Sequence, residues 1–246
     1  RMDEKGAHLQ SFPWMHTRRQ GIEYIDHKRD RSVKKRLMSE LQRRNLDIAL
    51  LHHHGNVEIE YLNSEPDPET PTEMVETIKD YANYAYRRHR GKGAPDDSVR
   101  ARISRNLGGL PLEWFSDEDS PERKQQDSIN ERKLNLYVED FADFTPNCRL
   151  VILDACFNGS FHKDKYIAGS YIFDEGETAA TIGNSVNVLQ DKWSDRYLGL
   201  AGLGMRLGNL VKYNTYLESH FMGDPTFHFT GAVDGIDVNE MLQQPA

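Results

Sequence analysis

Two short runs of mostly apolar residues, Leu46-Asp-Ile-Ala-Leu-Leu51 and Arg149-Leu-Val-Ile-Leu153, constrain the fold of this chain most. A strand with one face in water alternates apolar and polar residues, whereas a strand covered on both faces reads as a continuous apolar run. Each run therefore reads as a buried strand of a parallel sheet. The first follows residues 31–44, where Val33, Leu37, Met38 and Leu41 recur at helical spacing and Asn45 ends the helix. A third strand is expected at Ala179-Ala-Thr-Ile182, and a last short one at Phe227-His-Phe229. Between them Ser194 caps a predicted helix through Tyr197, Leu198, Ala201, Met205, Leu207 and Leu210. Within it Gly204 and Gly208, one turn apart, would allow close approach of a neighbour. Strands alternating with helices define an α/β class with a mostly parallel sheet flanked by helices.

The connection between the two apolar runs is long and polar. Pro66, Pro68 and Pro71 break structure, and Thr72 is expected to cap a helix to about Arg88 with Met74, Val75, Ile78, Ala82 and Ala85 on one face. Residues 90–119 are rich in Gly, Pro, Asp and Arg and read as loop with short turns. Ser120-Pro121 starts a further helix, with proline in the permitted first position. It is expected to reach Phe141 through Ile129, Leu134, Leu136 and Val138. Residues 57–147 thus form a helical insertion within a domain spanning 1–232, and 233–246 read as a tail or linker. The basic run Arg87-Arg88-His89-Arg90-Gly91-Lys92 reads as a solvated helix end.

Composition removes several classes of function. With 31 Lys+Arg against 39 Asp+Glu the net charge is −8, opposite to the basic footprint of a nucleic-acid binder. No apolar run approaches the ~20 residues that span a bilayer. The polar opening Arg1-Met2-Asp3-Glu4-Lys5 is not a secretory leader, although one could have been removed before it. Cys148 and Cys156 are too few for a disulfide framework, and on one extended segment they lie beyond bridging distance. They are read as two free thiols, in a reducing compartment or in an extracellular enzyme with a working thiol.

In open parallel sheets, ligands bind beyond the carboxyl ends of the strands. Here the first apolar run ends in His52-His53-His54-Gly55 and the second runs into Asp154-Ala155-Cys156. A thiolate is a strong nucleophile, and an imidazole can supply the proton that a leaving amine needs. Side chains alternate along a strand, so His52 and His54 share a face and His53 points away. Gly55 has no side chain to keep its N–H from a developing oxyanion, and the Cys156 N–H is a candidate second donor. The bland reading of this pattern is a buried small hydrophobe and a structural histidine.

Three histidines also suggest zinc, but no His-Glu-x-x-His or paired Cys-x-x-Cys accompanies them. Gly202-Leu-Gly204-Met-Arg-Leu-Gly208 misses the dinucleotide fingerprint by one residue, and Gly169-Ser170 lacks the flanks of a serine nucleophile elbow.

The blocks "LDIALLHHHG" and "LVILDACFNGSF" resemble the signature segments of clan CD cysteine peptidases, the group of caspases, legumain, separase, clostripain and gingipains. "AATIGNSVNVLQDKW" and the ending "HFMGDPTFHF" look most like the gingipain family, and Asp-Ala-Cys is clostripain-like. Together these patches cover roughly residues 46–56 and 150–230.

The resemblance implies a caspase-like fold and a cysteine endopeptidase with Cys156 as nucleophile and His54 as its histidine. Gly55 and Cys156 would supply the oxyanion donors. Asp154 would select Arg or Lys, within a pocket walled by Gly183–Trp193, including Asn184, Ser185 and Trp193. It further implies a peptide or protein substrate, no required cofactor or catalytic metal (a structural calcium ion remains compatible), and export to the surface or surroundings of a Gram-negative bacterium. Such an enzyme would also find the basic run at 87–92 its most obvious self-cleavage loop.

Two features depart from the family pattern. His54 and Cys156 lie 102 positions apart, an interval lengthened by the insertion. Two strands normally precede the histidine strand, whereas here only Tyr24-Ile25-Asp26 offers a short one. Either an N-terminal fragment of the same precursor completes the fold, or the front is built differently. The alternative function is a catalytically inactive scaffold or binding module of the same fold.

Overall fold

A computed structural model describes residues 21–26, 30, 32–62, 68–189, 194–212, 216–230 and 237–241. The chain separates into two compact units, one formed by residues 1–63 with 135–246 and the other by 64–134.

The first unit is built on a four-stranded sheet of order β1-β5-β6-β7. Its strands are β1 (Ile48–His52), β5 (Leu150–Asp154), β6 (Ala180–Asn184) and β7 (Ser219–Gly223). The β1–β5 and β5–β6 pairs are parallel, while β7 runs antiparallel to β6. A smaller antiparallel sheet joins β2 (His54–Asn56), β3 (Ile59–Tyr61) and β4 (Leu136–Tyr137).

The apolar run of β5 has its physical reason in two cores. Val151 and Leu153 join one cluster with Ala49, Leu41, Ile167 and Tyr171. Leu150 and Ile152 join the other with Ala180, Ile182, Leu207 and Leu210. Both faces are covered, so every position is apolar. Burying each such side chain is worth about 1.5–3 kcal/mol. The helix Val33–Leu41 contributes Val33, Leu37 and Leu41 to the first cluster at i, i+4 spacing.

The expected elements need five corrections in this unit. The third strand starts and ends later, at Ala180–Asn184. Phe227-His-Phe229 is not a strand: Phe227 and Phe229 pack edge to face with centroids 5.3 Å apart, after the turn at Pro225-Thr226. The last strand is instead β7, whose Phe221 and Met222 go to opposite clusters. The long helix after Ser194 is two, Ser194–Gly202 and Leu207–Lys212, interrupted at Gly204 with φ +82°. The second of these approaches Pro225 so closely that a Cβ on Gly208 would lie 2.7 Å from the Pro225 Cβ. Tyr24-Ile25-Asp26 forms no strand, although Ile25 packs on the first cluster. Finally, the helix expected to reach Phe141 ends at Leu134. Leu136 pairs with Glu60 and Asp140 accepts the Tyr137 N–H, which favours β4 and a 3₁₀ turn at Val138–Ala142 over more helix.

In the second unit the helix Pro71–His89 is capped by Thr70 rather than Thr72, with Pro71 at its first position and Glu73 closing a capping box. Residues 90–119, expected as loop, contain the helix Asp96–Asn106 and a 3₁₀ turn at Leu112–Trp114. Val99 and Ile103, one turn apart, bury against Ala82, Tyr86 and Phe115, which stabilises a helix its polar sequence alone did not suggest. The helix Pro121–Leu134 turns Asp127 inward, where it receives two 2.6 Å hydrogen bonds from Arg87, and leaves Ile129 exposed. Arg87 is therefore not a solvated helix end, whereas Lys92 lies exposed in the turn that follows. Among the described residues no helix is long and apolar enough to cross a membrane.

Candidate functional site

Register decides what meets at the carboxyl end of the main sheet. Pairing of β1 with β5 puts His52 beside Asp154, and the His52 Nδ1 lies 2.8 Å from an Asp154 carboxylate oxygen. Alternation then turns His53 away. Its Nε2 lies 3.4 Å from the wholly buried Glu60 carboxylate, whose other oxygen accepts the Tyr171 hydroxyl at 3.1 Å. Burial and the neighbouring Glu60 push the Tyr171 hydroxyl well above its ordinary value, so it stays protonated and donates. The chain leaves β1 into the β2–β3 hairpin, which begins with His54 and Gly55.

Cys156 is half-buried two residues past the end of β5. Its sulfur accepts a 3.4 Å hydrogen bond from the Val188 N–H. Among the described residues the Cys156 N–H donates to no protein group. The next residue, Phe157, has φ +58°, a left-handed conformation that costs a side-chain-bearing residue about 1–2 kcal/mol. Four hydrogen bonds tie this turn to its surroundings. The Phe157 N–H donates to Val186 O at 3.3 Å and the Gly159 N–H to Asn184 O at 2.9 Å. The Asn158 amide donates to Ile59 O at 3.0 Å and also to Asn56 O, fastening the turn to the β2–β3 hairpin.

Gly55 lies against the same turn. A Cβ built on it would sit 2.4 Å from the Cys156 carbonyl oxygen and 2.6 Å from Asn158 Oδ1, so only glycine allows this approach. Hydrogen-bonded pairs alternate along an antiparallel ladder. Glu58 O accepts from Val138 N–H on the β4 side, so Ile59 bonds towards β2. Gly55, opposite Glu60, therefore turns its N–H away from β3.

Of the residues singled out in the sequence, Gly55 in β2, Asn184 at the end of β6 and Ser185 after it lie on segments that border the Cys156 turn. The Asn184 amide donates to Ala155 O at 3.1 Å and Leu153 O at 3.4 Å. Asp154 lies at the tip of β5, with a carboxylate oxygen 2.8 Å from the His52 imidazole. His54 is exposed, and among the described residues its ring makes no hydrogen bond, to Cys156 or otherwise. Trp193 lies outside the described residues. Two pairs escaped the sequence reading: His52 with Asp154, which the β1–β5 register sets, and Ser185 with His220, for which no local signal exists.

The two thiols differ sharply. Cys148 is wholly buried before β5, and burial pushes its thiol up to about 12. It therefore stays protonated and inert at neutral pH. Iodoacetamide at pH 8 is expected to alkylate Cys156 at least about a hundredfold faster than Cys148 in the folded protein, as read by peptide mass mapping. Equal rates would mean that the entry to β5 opens in solution. Among the described residues no three His, Cys, Asp or Glu side chains form a group able to hold a metal ion.

No family model, curated protein or solved structure matches the chain. The class that its own geometry defines is α/β, with a mixed, mostly parallel four-stranded sheet flanked by helices and a cysteine turn at the carboxyl end of its strands.

Proposed function

We propose that the protein is a cysteine endopeptidase of caspase-like fold, akin to the clan CD and gingipain-type enzymes, cleaving after Arg or Lys. One observation carries the reading: the Gly55 backbone abuts the Cys156 turn across a separation of 101 positions, 156 less 55. The His-Gly and Cys blocks are thus neighbours in space at the end of the sheet where ligands bind.

In this mechanism the Cys156 thiol gives its proton to His54, and the thiolate attacks the scissile carbonyl. The N–H groups of Gly55 and Cys156 donate to the oxyanion that forms. His54 then passes its proton to the departing amine. Water, deprotonated by His54, cleaves the thioester and restores the thiol. Asp154 receives the basic side chain, with Asn184, Ser185 and Trp193 as the pocket wall. Peptide or protein substrates of an exported enzyme, from a Gram-negative bacterium, are the setting that the resemblance supports.

A second reading is favoured by the 2.8 Å contact between His52 and Asp154. There Asp154 holds the Nδ1 proton of His52, whose Nε2 serves Cys156 as the base, in the order of a Cys-His-Asp triad. The two readings give Asp154 different tasks, so variants separate them. In the first, His54→Ala lowers kcat about 10²–10⁴-fold for every substrate. Asp154→Asn then lowers turnover of arginyl peptides but not of neutral ones. In the second, His52→Ala and Asp154→Asn lower kcat for all substrates alike, while His54→Ala does not. An arginyl acyloxymethyl ketone that fails to label Cys156, with no turnover in the parent protein, would leave the inactive scaffold.

A further inference from the structure

The strongest feature outside the dyad is a serine–histidine pair on the flank of the cysteine turn. Ser185 follows the last residue of β6, and its Oγ lies 2.7 Å from Nε2 of His220 in β7. Its backbone is held as well, since the Ser185 N–H donates to Glu218 O at 3.0 Å. The adjoining residues hold the cysteine turn: Val186 O accepts from the Phe157 N–H, and the Val188 N–H donates to the Cys156 sulfur. Any side chain seated beside Cys156 on this flank meets the segment that carries Ser185.

His220 is itself fixed. Its ring packs edge to face on Phe161, with centroids 4.7 Å apart. Phe161 belongs to the cysteine turn's own extension and is 55% exposed, so the pair is not deep core. The charged groups acting on the ring are His162, from the same extension, and Glu218, two residues earlier in the chain. Burial and His162 hold the imidazole below its ordinary value, against the pull of Glu218, so His220 is neutral at pH 7.

A neutral imidazole with its proton on Nδ1 presents a lone pair at Nε2. The Ser185 hydroxyl then donates to Nε2, and both oxygen lone pairs face outward as acceptors. A protonated ring reverses this: Nε2–H donates to Oγ, and the hydroxyl proton points outward. The first arrangement suits a guanidinium or ammonium group, and the second repels it.

We propose that His220 is a specificity-determining residue, positioning the Ser185 hydroxyl as a hydrogen-bond acceptor for the cationic end of the substrate side chain bound beside Cys156. The inference rests on the peptidase reading and adds a second determinant of basic-residue selection beside Asp154. His220 touches neither the scissile bond nor the substrate, and acts through Ser185.

The test is the ratio of kcat/KM for an arginyl peptide to that for its citrulline counterpart, which differs in charge but hardly in shape. Measured from pH 5 to 8, the ratio cancels titration of the histidine that serves Cys156. His220→Leu is expected to lower it roughly tenfold at pH 7, mainly through KM, as expected for loss of one hydrogen bond to a charged group. Ser185→Ala should lower it equally, and the double variant no further. In the parent protein the ratio should fall as pH drops below the ordinary histidine value. His220→Gln, whose amide oxygen accepts the hydroxyl without titrating, should keep the ratio and flatten that fall. Any slope left in His220→Gln belongs to His52 and Asp154. An unchanged ratio in His220→Leu, or coincident pH profiles for His220→Gln and parent, would overturn the proposal alone. If the parent hydrolyses neither peptide, the peptidase reading falls and takes this one with it.

Discussion

Cys156→Ala is expected to reduce hydrolysis of short arginyl and lysyl peptides by about 10⁴-fold or more while leaving the melting temperature nearly unchanged. The reason for the first effect is chemical: without the sulfur no acyl-enzyme can form, and the oxyanion donors and pocket act only on attack by water. The reason for the second is structural. The sulfur makes only two weak hydrogen bonds, both with Val188, accepting from its N–H at 3.4 Å and donating to its O at 3.7 Å, on a turn that Asn158, Phe157 and Gly159 hold independently. Steady-state kinetics beside a thermal melt decide the matter. Turnover that survives the substitution would assign the chemistry to another residue. A melt lowered by many degrees would make Cys156 a packing residue.

Gly55→Ala is expected to damage both fold and turnover. The new methyl group would lie 2.4 Å from the Cys156 carbonyl oxygen, 2.6 Å from Asn158 Oδ1 and 2.9 Å from Asn158 Cγ. Neither neighbour yields cheaply, because one is backbone and the other is hydrogen-bonded to Asn56 O and Ile59 O. Relief requires the hairpin to move away from the cysteine turn. Such overpacking costs about 1–3 kcal/mol, a fall in melting temperature of roughly 2–12 °C at this chain length. A displacement near 1 Å also moves His54 and the Gly55 N–H from the reacting carbonyl, worth about 10²-fold in turnover. Gly199→Ala is the control. It sits in a helix with open space where its Cβ would be, and should be neutral or slightly stabilising. Full activity and an unshifted melt in Gly55→Ala would remove the contact that carries the functional reading.

The parts of the fold legible in the sequence were those whose burial is two-sided or whose ends are marked chemically. Leu150–Leu153 could be assigned because every residue is enclosed, and the helix start at Pro121 because proline is tolerated in the first position. The illegible parts share a different property. β7 is Ser-His-Phe-Met-Gly, a sequence with no apolar run, and its strand character comes from pairing with β6 while Phe221 and Met222 divide between two cores. The helix Asp96–Asn106 is polar except for Ala101 and the two residues, Val99 and Ile103, that meet Tyr86 and Phe115. In both cases the stabilising partners are distant in the chain, and local propensity is too weak to reveal them.

The candidate site divides the same way. That a thiol, an imidazole and a glycine occupy strand ends was determined by the sequence alone, because apolar runs and the residues that stop them are local. Which imidazole meets which carboxylate was decided only by tertiary structure. His52, His53 and His54 have the same side chain and differ only in where the backbone points it. One faces Asp154 through the β1–β5 register, one turns to the buried Glu60, and one stands exposed beside the glycine that touches the cysteine turn. The Ser185–His220 pair belongs wholly to the fold, since antiparallel pairing across β6 and β7 joins residues 35 positions apart, and no local pattern encodes that distance.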